Sequence, residues 1–198
     1  RLFRERLGTT PQRVAATRRA HFAKRLLEQS ELPITEVAFA AGYGSLRRFN
    51  AAVLASFGRP PRELRRGRGA STNAGELCLE LPCRGPLDPH WPWRWWGARP
   101  AEGVEAVELH ADSGAYRRAA CVGDFRGVIS LEALPAKGAS SRPRALLRAP
   151  MEAASVLPEL VRRARNLADL DADVEAIAAA LAAVPALRPL VERFGAPR

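Results

Sequence analysis

Arg47 and Arg48 stand side by side in the stretch GYGSLRRFN, residues 42–50. The planar guanidinium of an arginine donates two parallel hydrogen bonds to a phosphate, or to the O6 and N7 edge of a guanine, which lysine imitates poorly. Such chemistry needs the pair held outward on a rigid element, beside residues small enough for the backbone to come close. The residues that follow meet both conditions. On a helix turning about 100° per residue, Leu46, Phe49, Val53 and Phe57 form one apolar stripe, and Arg47, Arg48, Ala51 and Ala55 lie almost opposite it. The candidate contact residues are Ser45, Arg47, Arg48, Asn50 and Ala51.

The elements that must hold this pair are legible on either side. Ile34, Val37, Ala38 and Ala41 give a short helix its apolar face, and Gly42 supplies the left-handed residue that ends it. A second helix then starts at Gly44 or Ser45. Upstream, Thr10 as N-cap, Pro11 at the first helical position and apolar Val14, Phe22, Leu26 and Leu27 predict a long helix from Pro11 to Gln29. Its basic residues Arg13, Arg18, Arg19, Lys24 and Arg25 surround much of the helix, so that some are solvated and others reach phosphates. A short helix, a glycine turn and a second helix bearing outward arginines is the layout of a helix-turn-helix, whose second helix lies in the major groove.

Charge supports the same target. The chain has 198 residues and a net charge of +10, and residues 1–69 hold 15 Lys and Arg against 5 Asp and Glu, while residues 70–198 are balanced at 16 against 16. So sharp an asymmetry predicts two modules, the first facing a polyanion, with double-stranded DNA as the expected partner. Gly67, Gly69 and Gly75 among small polar residues read as a linker over 67–75, between a DNA-binding domain at 1–66 and a second domain at 76–198. No stretch approaches the roughly 18 apolar residues of a membrane span, so no membrane partner is expected. The three cysteines, Cys78, Cys83 and Cys121, fit no zinc or redox spacing, and a reducing cytoplasm is the expected location. The chain begins with Arg1, without an initiator methionine, as an excised piece would.

From Glu76 the pattern changes to strands: ELCLELP, VEAVEL, AYRRAACV, RGVISLEAL and RALLRA, punctuated by glycines. Helices are expected near APMEAASVLPELVRRARNL, with Val156, Leu157, Leu160, Val161 and Leu167 inward and Pro158 marking either a kink or a late start, and over DADVEAIAAALAAVPALRPLV. The fold class is therefore all-α followed by α+β, an antiparallel sheet with helices on one side. The segment DPHWPWRWWGARP carries four tryptophans beside Arg94 and Arg99. It has two readings, a platform that stacks on bases or holds arginine by cation–π contact, or a tryptophan-rich core helix, and the second is the commoner use of such clusters. His21, His90 and His110 are isolated, and Asp112 and Asp124 suit turns better than catalysis. No catalytic residue, metal site or cofactor is expected, and the oligomeric state is not set by these patterns.

ITEVAFAAGYGSLRRFNAAVLASFGRPPRELRR closely resembles the second helix-turn-helix of the AraC/XylS transcription regulators. The resemblance implies that the helix Pro11–Gln29 bridges two such motifs, of which RLFRERLGTTP is the tail of the first. LELPCRGPLD, AYRRAACVGDFRGVISLEAL and LVRRARNLADLDADVEAIAAAL resemble the N-terminal domain of AlkA-type DNA-3-methyladenine glycosylases, a small α+β domain similar to one repeat of the TATA-binding protein. In that family the base-excising aspartate lies in a following helix-hairpin-helix domain, to which no residue here corresponds. Together the two resemblances imply an alkylation-response fusion of regulator and repair glycosylase. A plain AraC-type regulator whose second domain binds a ligand or protein is the alternative.

Overall fold

The structure, a computed structural model, describes residues 2–65, 75–85, 91–109, 114–134 and 143–195. The expected linker other than Gly75, together with His90, His110 and Asp112, lies outside the described residues. The chain divides into two compact units, Arg1–Leu79 with Pro150–Pro158, and Glu80–Ala149 with Glu159–Arg198.

The first unit carries α1 (Leu2–Leu7), α2 (Pro11–Gln29), α3 (Ile34–Ala40), α4 (Leu46–Phe57) and α5 (Pro61–Leu64). The bounds of α2 follow from local chemistry. The Thr10 hydroxyl oxygen accepts the Arg13 N–H at 3.2 Å, Pro11 has no N–H to satisfy, and the Ser30 N–H donates to the Leu26 carbonyl at 3.0 Å. Its inner face is Ala20, Ala23, Leu26 and Leu27, whereas Val14 and Phe22, expected inside, are only half-buried. The buried set occupies the second half of α2, where small alanines admit α3 and α4 to close range. Below this core, Pro61 is buried and the Arg65 guanidinium donates to the Leu32 carbonyl.

The sheet is built from β1 (Glu76–Pro82), β2 (Glu105–Leu109), β3 (Gly114–Val122), β4 (Phe125–Leu134) and β5 (Arg144–Pro150), in the order β1-β5-β4-β3-β2. The pairs β2–β3, β3–β4 and β4–β5 are antiparallel. β3 and β4 are joined by the two-residue turn Gly123-Asp124, with Gly123 at φ +56 and Val122 opposite Phe125. Asp124 is exposed in that turn, as a turn aspartate would be. Alternation along the strands separates two faces: Ile129, Leu131, Ala133, Ala145 and Leu147 are buried, while Ser130, Glu132, Leu146 and Arg148 between them remain partly open. The open face is tied across strands by Glu132–Arg148 at 2.9 Å and Glu108–Arg117 at 3.1 Å.

The remaining helices are α6 (Trp91–Gly97), α7 (Leu157–Leu167), α8 (Val174–Ala182) and α9 (Arg188–Phe194), with a 3-10 turn over Met151–Val156. Pro158 is the second residue of α7, so it marks a late start rather than a kink; a proline in the first turn breaks no helical hydrogen bond. Of the expected inward residues, Leu157, Leu160 and Val161 are buried, and Val156 and Leu167 only partly so. Pro92 likewise sits in the first turn of α6 and leaves that helix regular.

The tryptophan-rich segment divides its side chains. Trp93 is 1% exposed, and Trp96 is half-buried with its ring 5.4 Å from Trp93 and 4.6 Å from Tyr116. Trp95 is 57% exposed, and the Arg99 guanidinium lies 5.5 Å from its ring centre. Arg94's side chain is outside the described residues. Core packing is thus the role of Trp93, and an arginine platform that of Trp95.

Candidate nucleic-acid interface

The turn between α3 and α4 is built by backbone hydrogen bonds. The N–H of Gly42, at φ +78, donates to the Phe39 carbonyl at 2.8 Å, and that of Tyr43 to the Ala38 carbonyl at 2.9 Å. This paired pattern closes a helix around a left-handed glycine and redirects the chain sharply. Tyr43 then packs edge-on against Phe49, ring centres 5.4 Å apart, and the Arg19 guanidinium of α2 lies 5.5 Å from the Tyr43 ring. Burial raises the Tyr43 phenol above its ordinary pKa, against the opposing pull of Arg19. The turn is thereby clamped to both α2 and α4.

α4 begins at Leu46 rather than at the cap itself, because the Ser45 hydroxyl oxygen accepts the Arg48 N–H at 3.3 Å. It ends at Gly58, φ +68, whose N–H meets the Leu54 carbonyl at 2.8 Å. Phe49 and Val53 are wholly buried, whereas Phe57 is half-buried, its ring 5.4 Å from His21 and 5.2 Å from the Lys24 ammonium. Leu46, expected in the same stripe, is the first residue of α4 and is 37% exposed.

Arg47, Arg48, Asn50 and Ala51 all face solvent, and Ser45 is half-buried in its capping role. Neither Arg47 nor Arg48 makes an ion pair or side-chain hydrogen bond among the described residues. Both occupy the first turn of a helix with no acidic residue there. The partial positive charge of a helix N-terminus disfavours cations by about 0.3–1 kcal/mol each. Two arginines at this point run against helix stability and suit an anion arriving from outside.

Sequence reasoning missed Leu54, which is 51% exposed on the same face. It lies about 20° around the helix from Arg47, as the sevenfold spacing already implied. An apolar side chain there matches the methyl group of thymine.

Residues 1–67 match the helix-turn-helix domain family, and residues 78–197 match the AlkA N-terminal domain. The chain belongs to the AlkA N-terminal domain family. Ahead of that domain it carries an AraC-type helix-turn-helix. The second region is accordingly not the effector domain of a plain AraC-type regulator. Relatives from two strains of Mycobacterium tuberculosis, each named a probable bifunctional transcriptional activator/DNA repair enzyme AlkA, are 35% identical over 196 residues. That alignment covers 96% of this chain and 37% of each relative. The HTH-type transcriptional activator RhaS of Escherichia fergusonii is 37% identical over 71 residues, 36% of this chain and 26% of that protein. No solved structure is significantly similar. Among the described residues no helix is long and apolar enough to cross a membrane, and no group of metal-binding side chains occurs.

Proposed function

We propose that α4 enters the major groove of double-stranded DNA and that this chain addresses an alkylation-damage response and repair protein to its sites. The observation that carries this reading is the two-sided α4: Phe49 and Val53 wholly inside, and Arg47, Arg48, Asn50, Ala51 and Leu54 outside. In this arrangement Arg47 or Arg48 reads a guanine edge, Asn50 suits an adenine, Ala51 permits close approach and Leu54 meets a thymine methyl. Ser45 uses a lone pair for the cap, and its hydroxyl proton is free to reach a phosphate. The joining of activator and repair enzyme in the names of the Mycobacterium tuberculosis relatives supports the damage-response context. By the same likeness the parent protein removes alkylated bases, with this chain as its DNA-positioning part.

The test is a titration of the chain and its Arg47→Ala, Arg48→Ala double variant against a duplex selected from a random pool. For about five neutralised phosphates, log affinity falls against log salt with a slope of roughly −4 to −5. A lost bidentate guanine contact costs about 1–3 kcal/mol on the selected site and much less on scrambled DNA. Loss of a phosphate contact weakens both alike. The variant melts no earlier than the parent, because both side chains are exposed and their loss relieves the unfavourable cations at the helix start. Unchanged affinity in the folded double variant would show that α4 is not the reading element.

A further inference from the structure

Within the second unit, a cleft of about 490 Å³ opens between β3, β4 and α7. Its floor is apolar, formed by Ile129 and Leu131 from the sheet and Leu160 and Leu167 from the helix. Its rim carries two guanidiniums, Arg118 and Arg163, with side chains 37% and 52% exposed. Volumes of about 300–1,000 Å³ lined mainly by apolar groups with a few polar ones are typical of small-molecule sites.

The charges at this rim are incompletely matched. The Glu105 carboxylate accepts the Tyr116 hydroxyl at 2.7 Å and the Ala101 N–H at 3.2 Å, and it pairs with Arg118 at 3.7 Å. The Tyr116 bond, the Ala101 bond and Arg118 hold Glu105 below the usual carboxylate range, so it is the anion that is committed here. At the other side, Glu159 is shared between Arg162, at 2.6 and 2.7 Å, and Arg163, at 2.8 Å. One carboxylate therefore faces two guanidiniums. Arg163 is further held over the cleft by its bond from Nη1 to the Cys121 carbonyl, 3.2 Å long.

We propose that this cleft binds a small apolar carboxylic acid, its ring or short chain on the Leu131 and Leu160 floor and its carboxylate at the guanidiniums of the rim. The charge excess decides the occupant's chemistry. A neutral apolar molecule leaves the guanidiniums as they are, whereas an anion adds charge-assisted hydrogen bonds where one carboxylate serves two of them.

Amide NMR titration of the whole chain with 1-naphthoate, and separately with uncharged 1-naphthylmethanol, tests it. Naphthoate is expected to give saturable shifts at Ile129, Leu131, Leu160 and Leu167, and to bind at least about tenfold more tightly than the alcohol, a difference of about 1.4 kcal/mol. In an Arg118→Gln, Arg163→Gln double variant the acid falls to the alcohol's affinity, while unchanged alcohol binding reports an intact cleft. The comparison of the two probes on the unaltered chain stands even if that variant unfolds. Equal affinity for both probes overturns the proposal. So does the absence of saturation up to about 1 mM, or shifts centred instead on the exposed apolar residues Val184, Leu190 and Phe194.

Discussion

Phe49→Ala is expected to destabilise the helical unit by about 3–5 kcal/mol, as deletion of a fully buried aromatic ring generally does. Phe49 is 0% exposed, and its ring edge meets Tyr43, which is itself packed under Arg19. Removing it empties the junction that fixes α4 against the turn. DNA affinity is lost with it, but only because the fold fails. This is the reverse of the Arg47→Ala, Arg48→Ala pattern, in which stability is kept and affinity falls. Far-ultraviolet circular dichroism melts beside DNA titrations separate the two. A Phe49→Ala chain within about 1 kcal/mol of the parent would mean that the inner face of α4 does not hold the motif together.

Gly114→Ala is expected to be nearly as damaging in the second unit, through a single added carbon. A Cβ at this position stands 2.2 Å from Cδ1 and 2.6 Å from Cγ of Trp93. Trp93 is enclosed, stacked with Tyr116 at a 6.5 Å ring separation and a 14° angle, so its ring has little room to withdraw. Overpacking of a close-fitted core costs about 1–3 kcal/mol and sometimes more. With a buried indole side chain as the clashing party, about 3 kcal/mol is the expected loss. The steric cause makes a second prediction: Trp93→Ala in the same chain removes the atoms at 2.2 and 2.6 Å and so relieves the clash. The double variant then loses about 1–3 kcal/mol less than the sum of its single changes, as directly contacting residues commonly do. Chemical denaturation followed by near-ultraviolet circular dichroism measures each variant. Simple additivity would place the clash elsewhere.

Much of this protein was legible because the deciding interactions are local. Thr10 and Pro11 start α2, Gly42 ends α3 and Ser45 starts α4 through bonds reaching no more than five residues along the chain, so residue type suffices. Gly123-Asp124 and the alternation of β4 and β5 are local in the same sense. The outward set Arg47, Arg48, Asn50 and Ala51 followed from helical periodicity once the buried stripe was known.

Contacts between distant segments decided the rest. Leu46 and Leu54 share a residue type with the core, yet they remain 37% and 51% exposed. Nothing in WPWRWWG distinguishes the tryptophan that is buried. Trp93 takes that place because Gly114, more than 20 residues along, leaves open the space its ring fills. The register of β2 on β3 sets Glu105 beside Tyr116 and Arg118, so that one carboxylate serves both at the edge of the cleft. Periodicity assigns a residue to a face, but burial and charge pairing depend on which other segment arrives at that face, and this is decided only when the chain has packed.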